Sequence, residues 1–194
     1  DNVFPPIIDK KGGSWEFAEY DPEKAKQIID EKGLAGTTVT LSYNSGGGHE
    51  DIMACIQGDL QAVGFEVEIE ATEWAAYLQK LGDGSFQVGR LGWIADYPTM
   101  DNFLYPNFFS TADNNYSKWN SPDFDAKVEA ARKIVDDDER RAAYREANQI
   151  VGDDMPVIPI MWYAHNHVGS DKFKSVYYDA AGIAHLATCQ LNTK

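Results

Sequence analysis

The sequence has 194 residues, 43% of them apolar, and a net charge of −14 from 17 basic and 31 acidic side chains. That is material for one large domain or one and a half small ones, and the acidic balance repels phosphate backbones and argues against a nucleic-acid partner. No apolar run approaches the roughly 20 residues of a membrane span, and Cys55 and Cys189 have neither the spacing of a metal motif nor that of a disulfide framework.

The chain opens Asp1-Asn2-Val3-Phe4-Pro5-Pro6, without an initiator Met or a signal-type apolar region, and reads as a mature or trimmed piece. Residues 1–20 are punctuated by Pro and Gly and read as irregular. Asp21-Pro22-Glu23 starts a helix: Asp as N-cap, Pro in the first turn, an acid near the positive end of the dipole. Gly33 ends it. From Thr37 to Tyr43, Val39, Leu41 and Tyr43 alternate with Thr38, Thr40 and Ser42, the pattern of a half-buried strand. Ser45-Gly46-Gly47-Gly48 is a loop, and a helix follows from His49 to Val63 with Ile52, Ile56, Leu60 and Val63 on one face.

Phe65 to Glu70 alternates strictly and reads as a second strand. Thr72-Glu73-Trp74 opens a helix to Leu81, and Asp83-Gly84 turns into a third strand over Phe86–Leu91. This order of elements predicts an α/β layer with parallel neighbours. Ser121-Pro122-Asp123 starts a helix that uses Phe124, Val128, Ala131 and Val135, and a second helix uses Ala143, Ala147, Ile150 and Val151. Val157–Tyr163 reads as a buried-type strand, with Pro159 marking an edge or crossing point. From Ala164 the tail has strand signals at Ser175–Tyr178 and His185–Leu191, and its change of composition separates it from the preceding layer.

The chemistry concentrates in Arg90-Leu91-Gly92-Trp93-Ile94-Ala95-Asp96-Tyr97-Pro98. An Arg, two aromatics and an Asp at a strand end can hold a zwitterion: carboxylate on Arg90, ammonium on Asp96, flat contact on Trp93. The same letters also fit a strand end with a structural Trp and a capping Asp. His49, at a helix start, is either an anion contact or a solvent-facing first-turn residue. Its Gly-rich loop lacks the Lys and Ser/Thr of a P-loop and the G-x-G-x-x-G spacing of a dinucleotide fold.

His165 and His167 share a face of an extended segment, without further metal ligands nearby in sequence. The acids Asp136–Glu139 lack the alternation of a calcium loop and fit a solvated junction between helices. Trp74, Trp93 and Trp162 stand at element ends, where core packing and a wall of aromatic platforms both fit. The sequence singles out no nucleophile, metal or cofactor site.

Several blocks in order give a family resemblance: Phe4-Pro5-Pro6, Asp21 to Lys26, Leu41-Ser42-Tyr43-Asn44, Glu73-Trp74, Gly92 to Pro98 with Asn102-Phe103-Leu104, Asn120 to Asp125, and Pro156 to Pro159. The chain resembles the C-terminal part of the peptide/nickel class (family 5) of ABC-transporter solute-binding proteins. The resemblance implies one lobe of a type II, cluster C, periplasmic-binding-protein-like clamp, with a mixed sheet flanked by helices. Residues 1–163 would form the C-terminal ligand-binding lobe, and residues 164–194 the tail that crosses to an N-terminal lobe.

It implies an extracytoplasmic binding component, not an enzyme, that takes peptides into a cleft and delivers them to ABC permease subunits, with membrane attachment only through a lipid anchor outside this chain. By resemblance, Asp96 pairs with a peptide's ammonium, Arg90 and His49 meet its carboxylate, Trp74, Trp93 and Tyr163 line side-chain pockets, and Asn44 lies on the approach. The Gly46-Gly47-Gly48 run departs from the family pattern. A nickel chelate or sugar as ligand, and a carboxylate-based hydrolase, are the rival expectations.

Overall fold

The computed structural model describes residues 2–16, 19–164, 166–179 and 182–192. His165, expected to share a face with His167, lies outside the described residues. The chain divides into two compact units. A sheet unit comprises residues 16–92 and 113–119, and a helical unit comprises residues 1–15, 93–112 and 120–194.

The sheet unit follows the periodicity of the sequence. Helix α1 (Pro22–Lys32) is capped as expected: the Asp21 carboxylate accepts from the Lys24 N–H at 2.9 Å, and Gly33 closes the helix in the left-handed region at φ 66°. Strand β1 (Thr38–Asn44), helix α2 (Glu50–Val63), strand β2 (Glu66–Thr72) and helix α3 (Trp74–Asp83) follow. Strand β3 (Val88–Gly89) completes a parallel sheet in the order β2-β1-β3, with Leu41 aligned to both Ile69 and Val88. Leu41, Tyr43 and Met53 are buried together, with Val39, Ile56, Leu60 and Val67 packed around them. Full burial of a side chain such as Leu41 or Met53 stabilises by roughly 1.5–3 kcal/mol relative to exposure, and the strand alternation puts Leu41 and Tyr43 on the face that receives it.

The third strand is shorter than the six residues expected. Within Phe86–Leu91, only Val88 and Gly89 pair as a strand. The Gln87 side chain supplies the acceptor for the Thr40 N–H at 2.8 Å, replacing a main-chain rung, and the Phe86 ring and Leu81 lie where a Cβ on Gly89 would stand. One further bond, Arg90 N–H to the Ser42 carbonyl at 2.8 Å, ties the end of this segment to β1.

The helical unit holds α4 (Met100–Phe108), α5 (Pro122–Lys133) and α6 (Asp137–Asp154). Buried Phe124, Val128 and Ala131 confirm the expected face of α5, but Val135 lies beyond the helix end and is 92% exposed. The acidic run is a helix cap: Asp136 accepts from the N–H groups of Asp138 and Glu139, both at 3.0 Å, and the other acids sit at the favourable end of the α6 dipole. The irregular segment 2–15 is pinned along α6 by Arg145 on Asp9 (2.5 and 2.9 Å), by Asn148 on Val3 and Asn2, and by Gln149 on Ser14.

The strand expected at Val157–Tyr163 does not form. Pro159 withholds a ladder donor, and no described strand pairs with the segment. In the tail, β4 (Phe173–Ser175) and β5 (Gln190–Leu191) form an antiparallel pair, with a short 3-10 turn at Leu186–Thr188. One further antiparallel bridge joins Tyr178 to Ala184 in the tail, and the three-stranded sheet is parallel throughout.

Candidate functional site

The seven residues singled out in the sequence fall into two sets. Asn44, His49, Trp74 and Arg90 belong to the sheet unit, and Trp93, Asp96 and Tyr163 to the helical unit.

In the sheet unit, β1 ends at Asn44 and the glycine run leads to His49, the residue before the first turn of α2. His49 makes no cap bond with its side chain. Instead its Nε2 lies 2.9 Å from Arg90 Nη1. A guanidinium can only donate, so Nε2 is the unprotonated acceptor and the ring proton sits on Nδ1. Partial burial, and next the charge of Arg90, hold the His49 pKa below its usual value, against an opposing pull from Glu50. Cation and neutral imidazole form one donor-bearing head.

Gly47 permits this closure. A Cβ there would stand 2.5 Å from His49 Nε2 and 2.6 Å from Asn44 Nδ2, so the two side chains close over a position that only glycine leaves open. The backbone below is clamped by Tyr77 of α3, which is fully buried. Its hydroxyl lies 2.8 Å from the Arg90 carbonyl and 3.0 Å from the Ser42 carbonyl, bridging the ends of two strands. Burial pushes the Tyr77 pKa up to about 12, so the hydroxyl remains a donor at physiological pH. Trp74 opens α3 beside the Glu73 cap and is half exposed. A shallow depression elsewhere on this unit is lined by Thr40, Ser42, Gln87 and the Lys80–Glu70 ion pair, among others.

In the helical unit, Trp93 and Asp96 share one support. The Asn102 side-chain oxygen accepts from the Asp96 backbone N–H at 2.9 Å and from Trp93 Nε1 at 3.3 Å. Two N–H donors converging on one atom fix that atom as the oxygen of the amide. Asn102 is 2% exposed and belongs to α4, whose Met100, Leu104 and Phe108 are also buried. The preceding residue, Asp101, accepts from the Tyr144 hydroxyl at 2.8 Å and pairs with Arg132 at 3.3 Å, locking α4 to α5 and α6. The Asp96 carboxylate is exposed and, among the described residues, has no hydrogen bond or ion pair. Tyr163 is about half exposed and lies on the segment that forms no strand, as does Trp162.

The resemblance assigns Arg90 and His49 to one carboxylate, whereas Tyr77, Gly47 and Asn102 carry no role in the sequence. The available signals were slight: an isolated Tyr on the apolar face of α3, a glycine between two named residues, and an Asn at the buried face of a helix.

Residues 1–115 match the family model described as bacterial extracellular solute-binding proteins, family 5 Middle. The chain is 29% identical over 191 residues to the oligopeptide-binding protein OppA of Bacillus subtilis, covering 92% of this chain and 35% of that protein. It is 32% identical over 187 residues to a dipeptide-binding protein of Pseudomonas aeruginosa, covering 91% and 34%. The chain thus spans about a third of the length of the curated relatives it matches. Among solved structures, the periplasmic binding protein DppA of Helicobacter pylori, in complex with the peptide STSA, superposes with a TM-score of 0.72 at 33% identity, over 80% of this chain and 31% of that one. A dipeptide-binding protein of a Pseudoalteromonas species reaches a TM-score of 0.80 over 98% and 39%, at 23% identity, and shows the shared fold.

Proposed function

This chain belongs to the family 5 bacterial extracellular solute-binding proteins, and on that premise we propose that it supplies one jaw of a peptide-binding clamp serving an ABC importer. In this reading residues 1–163 are a ligand-binding lobe, residues 164–194 cross to a second lobe, and the protein works outside the cytoplasm and hands peptide to permease subunits without chemical change. Ligand closes the clamp through its higher affinity for the closed state.

The observation that carries this reading is the Asp96 carboxylate: exposed, unpaired among the described residues, and held by its own backbone rather than by its side chain. A carboxylate offered in that way takes a cation, and the free ammonium of a peptide is one. Arg90, with neutral His49 beside it, is the complementary head for a carboxylate. Trp74, Trp93 and Tyr163 present aromatic surface that accepts varied side chains, with water filling the remainder. Asn44 lies beside His49 over Gly47 and contributes an amide to the same head.

The test is isothermal titration of the complete gene product with a pool of tri- to pentapeptides, a nickel–histidine chelate and a sugar panel, with the peptides recovered afterwards. Saturable binding of intact peptide is expected. Binding of chelate or sugar alone, or recovery of cleaved peptide, contradicts the reading.

A further inference from the structure

The Asp96 loop is attached to the helical unit at few points, and one side chain makes two of the attachments. Asn102 is buried, sits on a helix locked by Asp101 to Tyr144 and Arg132, and spends a single oxygen on both the Asp96 N–H and the Trp93 indole N–H. The phenol of Tyr97 adds a weaker link to Asp101 at 3.4 Å. One atom therefore sets the position of a charged group and of an aromatic surface three residues apart.

Resting on the function proposed above, we propose that Asn102 is the positioning residue of the ammonium site: by holding the Asp96 backbone and the Trp93 ring on one acceptor, it fixes the carboxylate where a peptide's N-terminus arrives. Asn102 does not touch ligand in this scheme. Its removal lets the loop relax and scatters the carboxylate over several positions, which weakens a point-to-point ion pair far more than the distributed main-chain contacts along a peptide. The requirement is an acceptor at this place, not an amide. Asn102→Asp keeps an oxygen for both donors, whereas Asn102→Leu fills similar space and accepts nothing.

The experiment uses the complete gene product and two probes, a pool of tri- to pentapeptides with free N-termini and the same pool N-acetylated. For Asn102→Leu the account predicts a loss of about tenfold or more for the free-amine pool, and less than about twofold for the acetylated pool. Asn102→Asp stays within about threefold of the parent on both. Hydrogen exchange in the ligand-free protein gives a second readout. Residues 93–99 exchange about tenfold faster in the leucine variant, while α5 and α6 keep their protection and show that it is folded. Should Asn102→Leu fail to fold, Asn102→Ser, whose hydroxyl is too short to serve both donors, takes its place.

Equal loss on both pools, no loss on either, or an aspartate variant as impaired as the leucine one overturns the positioning role. If the parent protein itself does not distinguish the two pools, the ammonium reading of Asp96 fails first. Discrimination by the parent with none lost in the variant refutes the inference about Asn102 alone.

Discussion

Tyr77 offers a direct test of how the Arg90 head is supported. Replacing it with Phe keeps the buried ring and opens no cavity, so the change isolates one hydroxyl. That hydroxyl bridges the Arg90 carbonyl at 2.8 Å and the Ser42 carbonyl at 3.0 Å. Ser42 retains a second partner, the Arg90 N–H at 2.8 Å, so its carbonyl remains bonded. The Arg90 carbonyl loses a donor in a partly buried setting. A net hydrogen bond is worth about 0.5–1.5 kcal/mol and a buried acceptor left short of a partner costs about 1–3 kcal/mol, which places Tyr77→Phe at roughly 1–3 kcal/mol.

Equilibrium urea unfolding of the two proteins at neutral pH measures this. A second arm uses alkali. Burial raises the Tyr77 pKa from 10.0 to about 12, so the folded state favours the neutral phenol. Its contribution is complete below pH 10 and is lost as pH rises from 10 to 12, because the unfolded chain releases the proton first. The stability gap between parent and Phe variant therefore narrows across that window. A penalty under about 0.5 kcal/mol at pH 7, or a gap that is constant from pH 9 to 12, refutes the clamp.

Two further predictions concern the same head. The His49 pKa is lowered, chiefly by burial and then by Arg90, so the neutral ring is the form the fold keeps. Its stabilisation is complete above the ordinary value of 6.5 and falls as pH drops below it toward the folded value. Thermal melting from pH 7.5 to 5 shows a steeper acid loss for the parent than for His49→Gln, which keeps an acceptor for Arg90 and cannot titrate; parallel slopes contradict this. Gly47→Ala puts a methyl 2.5 Å from His49 Nε2 and 2.6 Å from Asn44 Nδ2. Both are side-chain ends that can swing aside, so stability falls by less than about 1 kcal/mol, but a crystal structure of the variant shows the Arg90–His49 contact broken. An intact contact refutes the role assigned to Gly47.

Much of the sheet unit was legible because its signals are local. Asp21-Pro22, the alternation through Leu41 and Tyr43, and the alternation through Val67 each specify an element without reference to distant residues. What failed depended on partners. The third strand is truncated because a side chain, Gln87, takes over a rung. Val157–Tyr163 has the composition of a strand and nothing beside it to pair with.

Helix α4 was not foreseen, although Met100, Leu104 and Phe108 repeat at four-residue spacing, because Pro106 inside it reads as a breaker. The site shows the same division. Arg90, His49 and Asp96 were legible as residue types in suggestive places. The contact between Arg90 and His49 spans 41 positions, and the double acceptor at Asn102 depends on a helix that the sequence conceals.

The central claim is that Asp96 receives a peptide's ammonium, and the complete gene product carrying Asp96→Asn tests it. Asparagine keeps the size and the backbone bond to Asn102 while removing the charge. Taking one member from an enclosed ion pair costs about 3–5 kcal/mol, more than a hundredfold in affinity. Calorimetry should show that loss for peptides with free N-termini and little change for their N-acetylated counterparts. Equal weakening of both, or none of either, would contradict the account.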